Sequence, residues 1–436
     1  MTSENYYAGV NMPSKYLKRK IDEDLEKYLQ MIGAVLIVGP KWCGKTTTGE
    51  QHAKSILKLQ DPDNIESYLM WADIQPSILL EGEKPRLIDE WQIAPVLWDA
   101  VRTSVDNISD YGLYILTGST VVDESKIMHT GTGRIHRLKM RPMSLYESRD
   151  SNGKISLMEL FDNPEIDING IQSDLTINDL FFVACRGGWP NAITQKDDEG
   201  KLMVAYNYLD NISDIDISAI DNIKRDSDKV RTILHSIARN NSTLVNNKTI
   251  LNDIRANFDI SEPTFYSYLN ALKRLFVIED IKGWAPNIRS KTAMRTGHKK
   301  VFIDPSIAVA ALNLSPESFN TPDGLETFGF IFENLCIRDL SVYTSSLKGK
   351  IRYYHDDAGI EIDCVVHLRD GRYALIECKL GKTNIEKGAQ NLIKISKLIE
   401  KNDKVRNPEF LAVLTGGKFA YTRPDGVKVI PIGCLK

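Results

Sequence analysis

The sequence predicts a multidomain α/β protein, and three observations carry that reading. Short, continuous apolar runs alternate with helical stretches over the first third of the chain. A glycine-rich turn joins the first of those runs to a helix. At 436 residues the chain is also longer than one ordinary core supports, so two to four domains are expected. With 42 % apolar and 26 % charged residues, the composition argues against disorder and against a fibrous protein.

Residues 16–30 carry apolar positions at helical spacing and predict a first amphipathic helix. AVLIVG (34–39) reads as a fully buried parallel strand, and RLIDEWQ (86–92) and LYILTGS (113–119) repeat the pattern. Polar and acidic residues thicken over 150–175, which predicts an irregular insertion, and the reading from 176 to 222 is helical. Residues 228–282 read as three helices and the start of a hairpin. Helices return after Asp304-Pro305 up to about 342. A second β-rich unit then follows, with a helix near 386–401 and closing strands at 410–417 and 427–435.

No apolar run approaches a membrane span, and MTSENYYAGVNMPSKYLKRK lacks the apolar stretch of a signal peptide. The six cysteines form no CxxC pair, which suits reduced thiols and predicts a cytoplasmic protein. A net charge of −3 means that any nucleic-acid surface must be local.

Residues 39–47, GPKWCGKTT, satisfy GxxxxGK[ST] at Gly39, Gly44, Lys45 and Thr46. Glycines let the backbone curl its N–H groups toward phosphates, and the following helix N-terminus adds positive potential. Gly39, Pro40, Lys41, Cys43, Gly44, Lys45, Thr46 and Thr47 are therefore candidate ATP contacts. Lys45 would reach the β- and γ-phosphates, and the Thr46 hydroxyl would hold Mg²⁺. An Asp-Glu pair alone is usually a solvated strand end. Downstream of such a loop, Asp89 reads as a Mg²⁺ ligand and Glu90 as the group that polarises the attacking water. Thr117 and Ser119 stand where a polar group senses the γ-phosphate. Arg134, in GTGR, reads equally as an arginine finger or as a surface arginine; an outward position predicts a homo-oligomer whose sites the neighbour completes.

GPKWCGKTT, IDEWQ, LTGS, GTGR followed by RPMSLYE, and RGGWP together resemble a family of prokaryotic AAA-type ATPases related to the archaeal ATPases of the STAND class. The resemblance spans nearly the whole chain. It implies a P-loop NTPase core at 1–175 and a helical lid or linker at 176–225. It also implies that Gly188-Trp189-Pro190 contributes to nucleotide sensing, although a simple turn explains those residues as well.

Residues 226–300 have the helix lengths of a winged helix-turn-helix, with Ser261 as N-cap and Pro263 in the first turn of the third helix. Thirteen Lys and Arg against seven Asp and Glu leave this segment about six charges positive, and 283–300 has no acidic residue. That is the footprint of phosphate contact, so DNA is a candidate partner; docking to protein or a structural role fits the same pattern.

In the last unit, residues 301–436, Asp363 in IEIDCVV precedes Glu377-Cys378-Lys379. Alternation puts Glu377 and Lys379 on one face, and a hairpin at Asp370-Gly371 brings Asp363 beside them. Two carboxylates can hold Mg²⁺ and a lysine can position water, as phosphodiester chemistry needs. The set resembles the PD-(D/E)xK core of restriction-endonuclease-like folds. That resemblance makes Asp363, Glu377 and Lys379 candidate catalytic residues, adds Glu333 to Asp363 and Glu377 as metal ligands, and notes Gln390 on the next helix. Two functions follow: an ATPase that licenses DNA cleavage, or a nucleotide-switched regulator whose C-terminal domain only binds DNA or protein.

Overall fold

The computed structural model describes residues 16–118, 130–221, 223–287, 297–356, 359–402 and 405–436. Its first sheet has five parallel strands: β1 (Ala34–Val38), β2 (Ser55–Lys58), β3 (Arg86–Asp89), β4 (Tyr114–Gly118) and β5 (Ile135–Lys139). They run in the order β2-β3-β4-β1-β5. Alternation explains why the β1 residues are all apolar: Ala34 and Leu36 pack with Leu97, Trp98 and Val101 on one face, while Val35 and Ile37 pack with Leu25, Ile115 and Leu138 on the other. β4 lies between β1 and β3, so the carboxyl ends of all three open on one crevice, where α/β sheets bind ligands. β2 was not foreseen. It is a four-residue edge strand in which only Leu57 is buried, too little to leave an apolar run in the sequence.

Helices Ile177–Arg186, Pro190–Thr194 and Asp198–Asn211 follow, the first fixed by reciprocal hydrogen bonds between Thr176 and Asp179. Helices Ser227–Arg239, Asn247–Arg255 and Glu262–Arg274 are each started by a side-chain cap, from Asp226, Asn246 and Ser261. An antiparallel pair, β6 (Ile278–Ile281) with β7 (Lys299–Phe302), closes this segment.

The last unit opens with the 24-residue helix Pro322–Ser345. Antiparallel strands β8 (Lys350–His355), β9 (Glu361–His367) and β10 (Tyr373–Cys378) come next, with the expected turn at Gly371 in the left-handed region, φ 89°. Helix Lys382–Glu400 then returns the chain to β11 (Leu411–Thr415), parallel to β10, with β13 (Lys428–Pro431) and the two-residue β12 (Tyr421–Thr422) at the edge.

The 150–175 stretch, expected as an insertion in the first domain, is bound instead to the last unit. Asn152 N–H donates to Gly433 O (3.0 Å), Leu157 N–H to Lys436 O (2.9 Å) and Ser173 N–H to Lys418 O (2.8 Å). Helix Pro305–Ala311, read as the start of the C-terminal domain, shares one apolar core with the lid helices through Ile307, Ala308 and Val309.

Candidate functional site

The loop after β1 is shaped by its glycines. Gly44 adopts φ 99°, open to glycine at least cost, and a Cβ on Gly39 would stand 2.2 Å from the Met140 carbonyl oxygen. Lys45, buried, donates to the carbonyls of Gly39 (3.1 Å) and Pro40 (2.8 Å) within this cradle. Asp89 receives the Thr46 hydroxyl at 2.7 Å and the Thr117 hydroxyl at 2.5 Å on the same oxygen. Thr117 in turn accepts the Glu90 N–H at 3.2 Å, and Gln92 donates to the Glu90 carboxylate. Strand order thus brings Lys45, Thr46, Asp89, Glu90 and Thr117 to one place.

Other expected residues behave differently. Lys41 reaches away from the loop to Asp216 at 2.6 Å, Cys43 is buried, and Thr47 is exposed. Ser119 lies outside the described residues. Arg134 does not serve its own loop. It precedes β5, whose first residue pairs with Ala34, so it sits at the opposite end of the sheet from Gly39; its side chain is 48 % exposed and bound to Asp106 at 2.7 Å.

Sequence reasoning missed the supports of the loop. Arg19 donates to the carbonyls of Cys43 (2.8 Å) and Arg141 (2.8 Å) and is held by Glu147 (3.2 Å). The Gly188-Trp189-Pro190 turn packs on the loop, with the Pro190 ring 3.5 Å from where a Gly44 Cβ would be. Its Gly188 N–H donates to Asp304 at 3.0 Å. Arg338, fully buried, joins Asp304 (3.1 Å) to Asp339 (2.7 Å), and Asp339 accepts the Leu145 N–H (3.0 Å). Those bonds tie the end of the first sheet, the lid turn and helix Pro322–Ser345 into one network. No local pattern marks it, because the bonds from Gly188 to Asp304 and from Leu145 to Asp339 span more than a hundred residues each.

The C-terminal cluster also assembles, with a cation that was not expected. Lys379 bonds Asp363 at 2.8 Å and Glu377 at 2.7 Å, and the Cys378 N–H donates to Asp363 at 2.8 Å. Gly388 lets helix Lys382–Glu400 cover the pair: a Cβ there would be 3.2 Å from Glu377 Cβ. Glu333 faces Lys299 of β7, whose ammonium, 1 % exposed, lies 2.7 Å from Glu333, 2.8 Å from Glu361 and 4.0 Å from Asp363. Burial opposes the Lys299 charge, but Glu333, Asp363 and Glu361 outweigh it and raise its pKa well above the ordinary lysine range.

A divalent ion does not fit these residues as they stand. The ammoniums of Lys299 and Lys379 already take the carboxylate oxygens such an ion would need. Among the described residues no group of three or more His, Cys, Asp or Glu side chains could hold a metal. As the side chains stand, Glu333 is bonded to Lys299 and Asp363 and Glu377 to Lys379 rather than all three converging on one ion position, and Gln390 is exposed and bonded to Glu386.

Burial and the Asp363 charge push Glu377 up to about 9. Burial would raise Asp363 too, yet Lys379, Lys299 and hydrogen bonds from the Glu377 carboxyl and Cys378 N–H hold it down at about 2. From the ordinary 4.5 to about 9 the folded chain keeps a Glu377 proton that the unfolded chain has lost, so stability falls as pH rises through that window. Asp363 acts oppositely, its contribution present above 3.8 and lost as pH falls through about 2. Glu377→Gln is expected to flatten the fall in melting temperature between roughly pH 5 and pH 9. Equal slopes in parent and variant, measured by scanning calorimetry, would contradict a protonated Glu377.

The basic middle segment is partly spent internally. Lys299 and Lys300 are buried, Lys273 pairs with Asp280 at 2.5 Å, and Arg274 lies 3.8 Å from Asp221. The exposed positions of helix Glu262–Arg274 are Glu262, Pro263, Thr264, Tyr266 and Asn270, with no cation among them.

Residues 32–148 match a family model described as an AAA domain. Residues 177–318 and 328–435 each match a domain of unknown function, DUF8612 and DUF4143. The uncharacterized proteins Mb2031c of Mycobacterium bovis and Rv2008c of Mycobacterium tuberculosis are each 21 % identical over 423 residues, covering 93 % of this chain and 82 % of theirs. Among solved structures, the Walker-type ATPase PABY2304 of Pyrococcus abyssi is 14 % identical, covering 68 % of this chain and 96 % of that one with a TM-score of 0.41. A RuvB mutant of Thermotoga maritima is 14 % identical over 63 % and 92 %, with a TM-score of 0.26. No helix among the described residues is long and apolar enough to cross a membrane. The family match and the parallel sheet around the glycine-rich loop agree: residues 32–148 are an AAA-type P-loop domain, a fold that implies nucleotide binding.

Proposed function

We propose that this protein is an ATP-hydrolysing, nucleotide-switched regulator in which the C-terminal nuclease-like cluster is an internal ion network. One observation carries the ATPase reading: a single Asp89 oxygen joins the Thr46 and Thr117 hydroxyls beside Lys45 and Glu90. ATP phosphates lie along the loop N–H groups and the Lys45 ammonium. Thr46 and Asp89 are the residues that would hold Mg²⁺, which neutralises charge on the β- and γ-phosphates. Glu90, steered by Gln92 and by its N–H bond to Thr117, takes the proton of the attacking water. The Arg338 network supports the switch, since the turn against Gly44 cannot move without pulling on Asp304 and helix Pro322–Ser345.

The order of helix, three antiparallel strands, helix and parallel strand, with Asp363 on the second strand and Glu377 on the third, supports a PD-(D/E)xK-like reading of the last unit. Three helices and a β pair likewise support a winged-helix reading of the middle. DNA cleavage stays the second reading, because Asp363, Glu377 and Lys379 do converge. Against it stands Lys299. The test is phosphate release from ATP beside Mg²⁺-dependent cutting of linear and circular DNA, in the parent, Lys45→Ala and Glu377→Ala. Turnover abolished by Lys45→Ala, with DNA intact throughout, is expected. A parent without turnover defeats the ATPase reading, and cutting that Glu377→Ala abolishes defeats the ion-network reading.

A further inference from the structure

The geometry points to a second ligand site, for a small phosphate-bearing molecule, in the cavity where the end of β5, the β6 strand and β8 meet. Its volume is about 560 Å³. Pockets of that size take molecules of nucleotide scale, whereas a nucleic-acid duplex is too broad to enter.

Lysines and arginines outnumber carboxylates along the wall. Two of those carboxylates are each shared between cations. Glu279 accepts Arg141 at 2.7 Å and also Lys139, and Asp280 accepts Lys273 at 2.5 Å and Lys300 at 3.1 Å. Lys350 and Arg352, side by side on β8, have no carboxylate within ion-pair distance among the described residues. Excess positive charge in a partly desolvated concavity attracts an anion more strongly than the same charge on open surface. Arginine forks suit phosphate oxygens in particular.

A second observation is independent of charge. Thr344 lines the same cavity, is 1 % exposed, and its hydroxyl has no hydrogen-bond partner among the described residues. Buried hydroxyls rarely stay unpaired, and this one, shut off from solvent in the cavity wall, would reach a phosphate oxygen only as the wall shifts.

The site also touches the loop. Arg19, in the cavity wall, donates to the Cys43 and Arg141 carbonyls, and Met140 lies beneath Gly39. A ligand that draws Arg141 toward it therefore acts on the phosphate-binding loop. This goes beyond the ATPase reading and does not depend on hydrolysis.

The experiment is calorimetric titration of inorganic pyrophosphate, without Mg²⁺ and at low salt, into the full chain. Lys45→Ala serves as the background, because it disables the phosphate-binding loop. Saturable binding is expected there, weakened at least tenfold by adding Lys350→Ala and Arg352→Ala. Lys350 is exposed and neither residue has an ionic partner among the described residues, so the added changes spare the fold; an unchanged melting temperature checks this. No saturable binding in Lys45→Ala, or binding that the two added changes leave intact, overturns the site. Binding of a single-stranded oligonucleotide without binding of pyrophosphate also overturns it, in favour of a nucleic-acid surface.

Discussion

Lys299→Met is expected to destabilise the C-terminal unit by about 3–5 kcal/mol, the cost of removing one partner from a buried ion network. Methionine preserves the length of the lysine stem and removes only the ammonium. Glu333 and Glu361 would then lose the ammonium that both accept, and Asp363 a second cation, while Lys379 already serves Asp363 and Glu377. The chain must then protonate carboxylates or separate them, and either route loosens the contact between β7, β9 and helix Pro322–Ser345. The measurement is the urea midpoint of the C-terminal transition. Adding Glu333→Gln should return part of the loss, because it removes the carboxylate bonded to Lys299 at 2.7 Å. A loss below about 1 kcal/mol would mean that Lys299 is not what holds this cluster together.

Glu90→Gln is expected to lower ATP turnover by roughly 10²- to 10⁴-fold while leaving ATP affinity within a few-fold, the pattern of a lost general base. Glu90 has φ 54°, a left-handed conformation that costs a non-glycine residue on the order of 1 kcal/mol. What holds it there is the bond from its N–H to Thr117 and the one from Gln92 to its carboxylate. Glutamine keeps the size and one acceptor, so binding persists and proton removal does not. Phosphate release and a fluorescent-nucleotide titration separate the two quantities. Turnover within threefold of the parent would move the base elsewhere.

What the sequence made legible was what its local spacing encodes. Gly39, Gly44, Lys45 and Thr46 are read from nine consecutive residues, and the strands carrying Asp89 and Thr117 from continuous apolar runs. Asp363 and Glu377 came from alternation and one hairpin turn. Arg19, Asp216 and Lys299 were illegible for the opposite reason: each does its work on a partner far along the chain. Lys299 shows the error most clearly. Placed in an acid-free stretch it counts toward a positive surface open to DNA or protein, but β7 turns it inward against carboxylates supplied by residues 333 and 361. Net charge along a segment does not say which face a side chain takes. Arg134 was left open between a finger and a surface arginine for the same reason, since sequence order does not tell which end of a sheet a residue occupies.

The pairing of residues 152–173 with 418–436 bears on how this molecule is made. Ile155 pairs with Leu435 across 280 positions of chain, and the buried Leu157 and Leu160 lie in the same stretch. During synthesis the first sheet can close early, its strands all falling within residues 34–139. The strap that follows cannot find its partner until nearly three hundred more residues have emerged. Contacts of such long range form slowly, because loop closure precedes any gain from pairing. Until then the apolar side of the strap stays open, the interval in which a nascent chain is most exposed to aggregation.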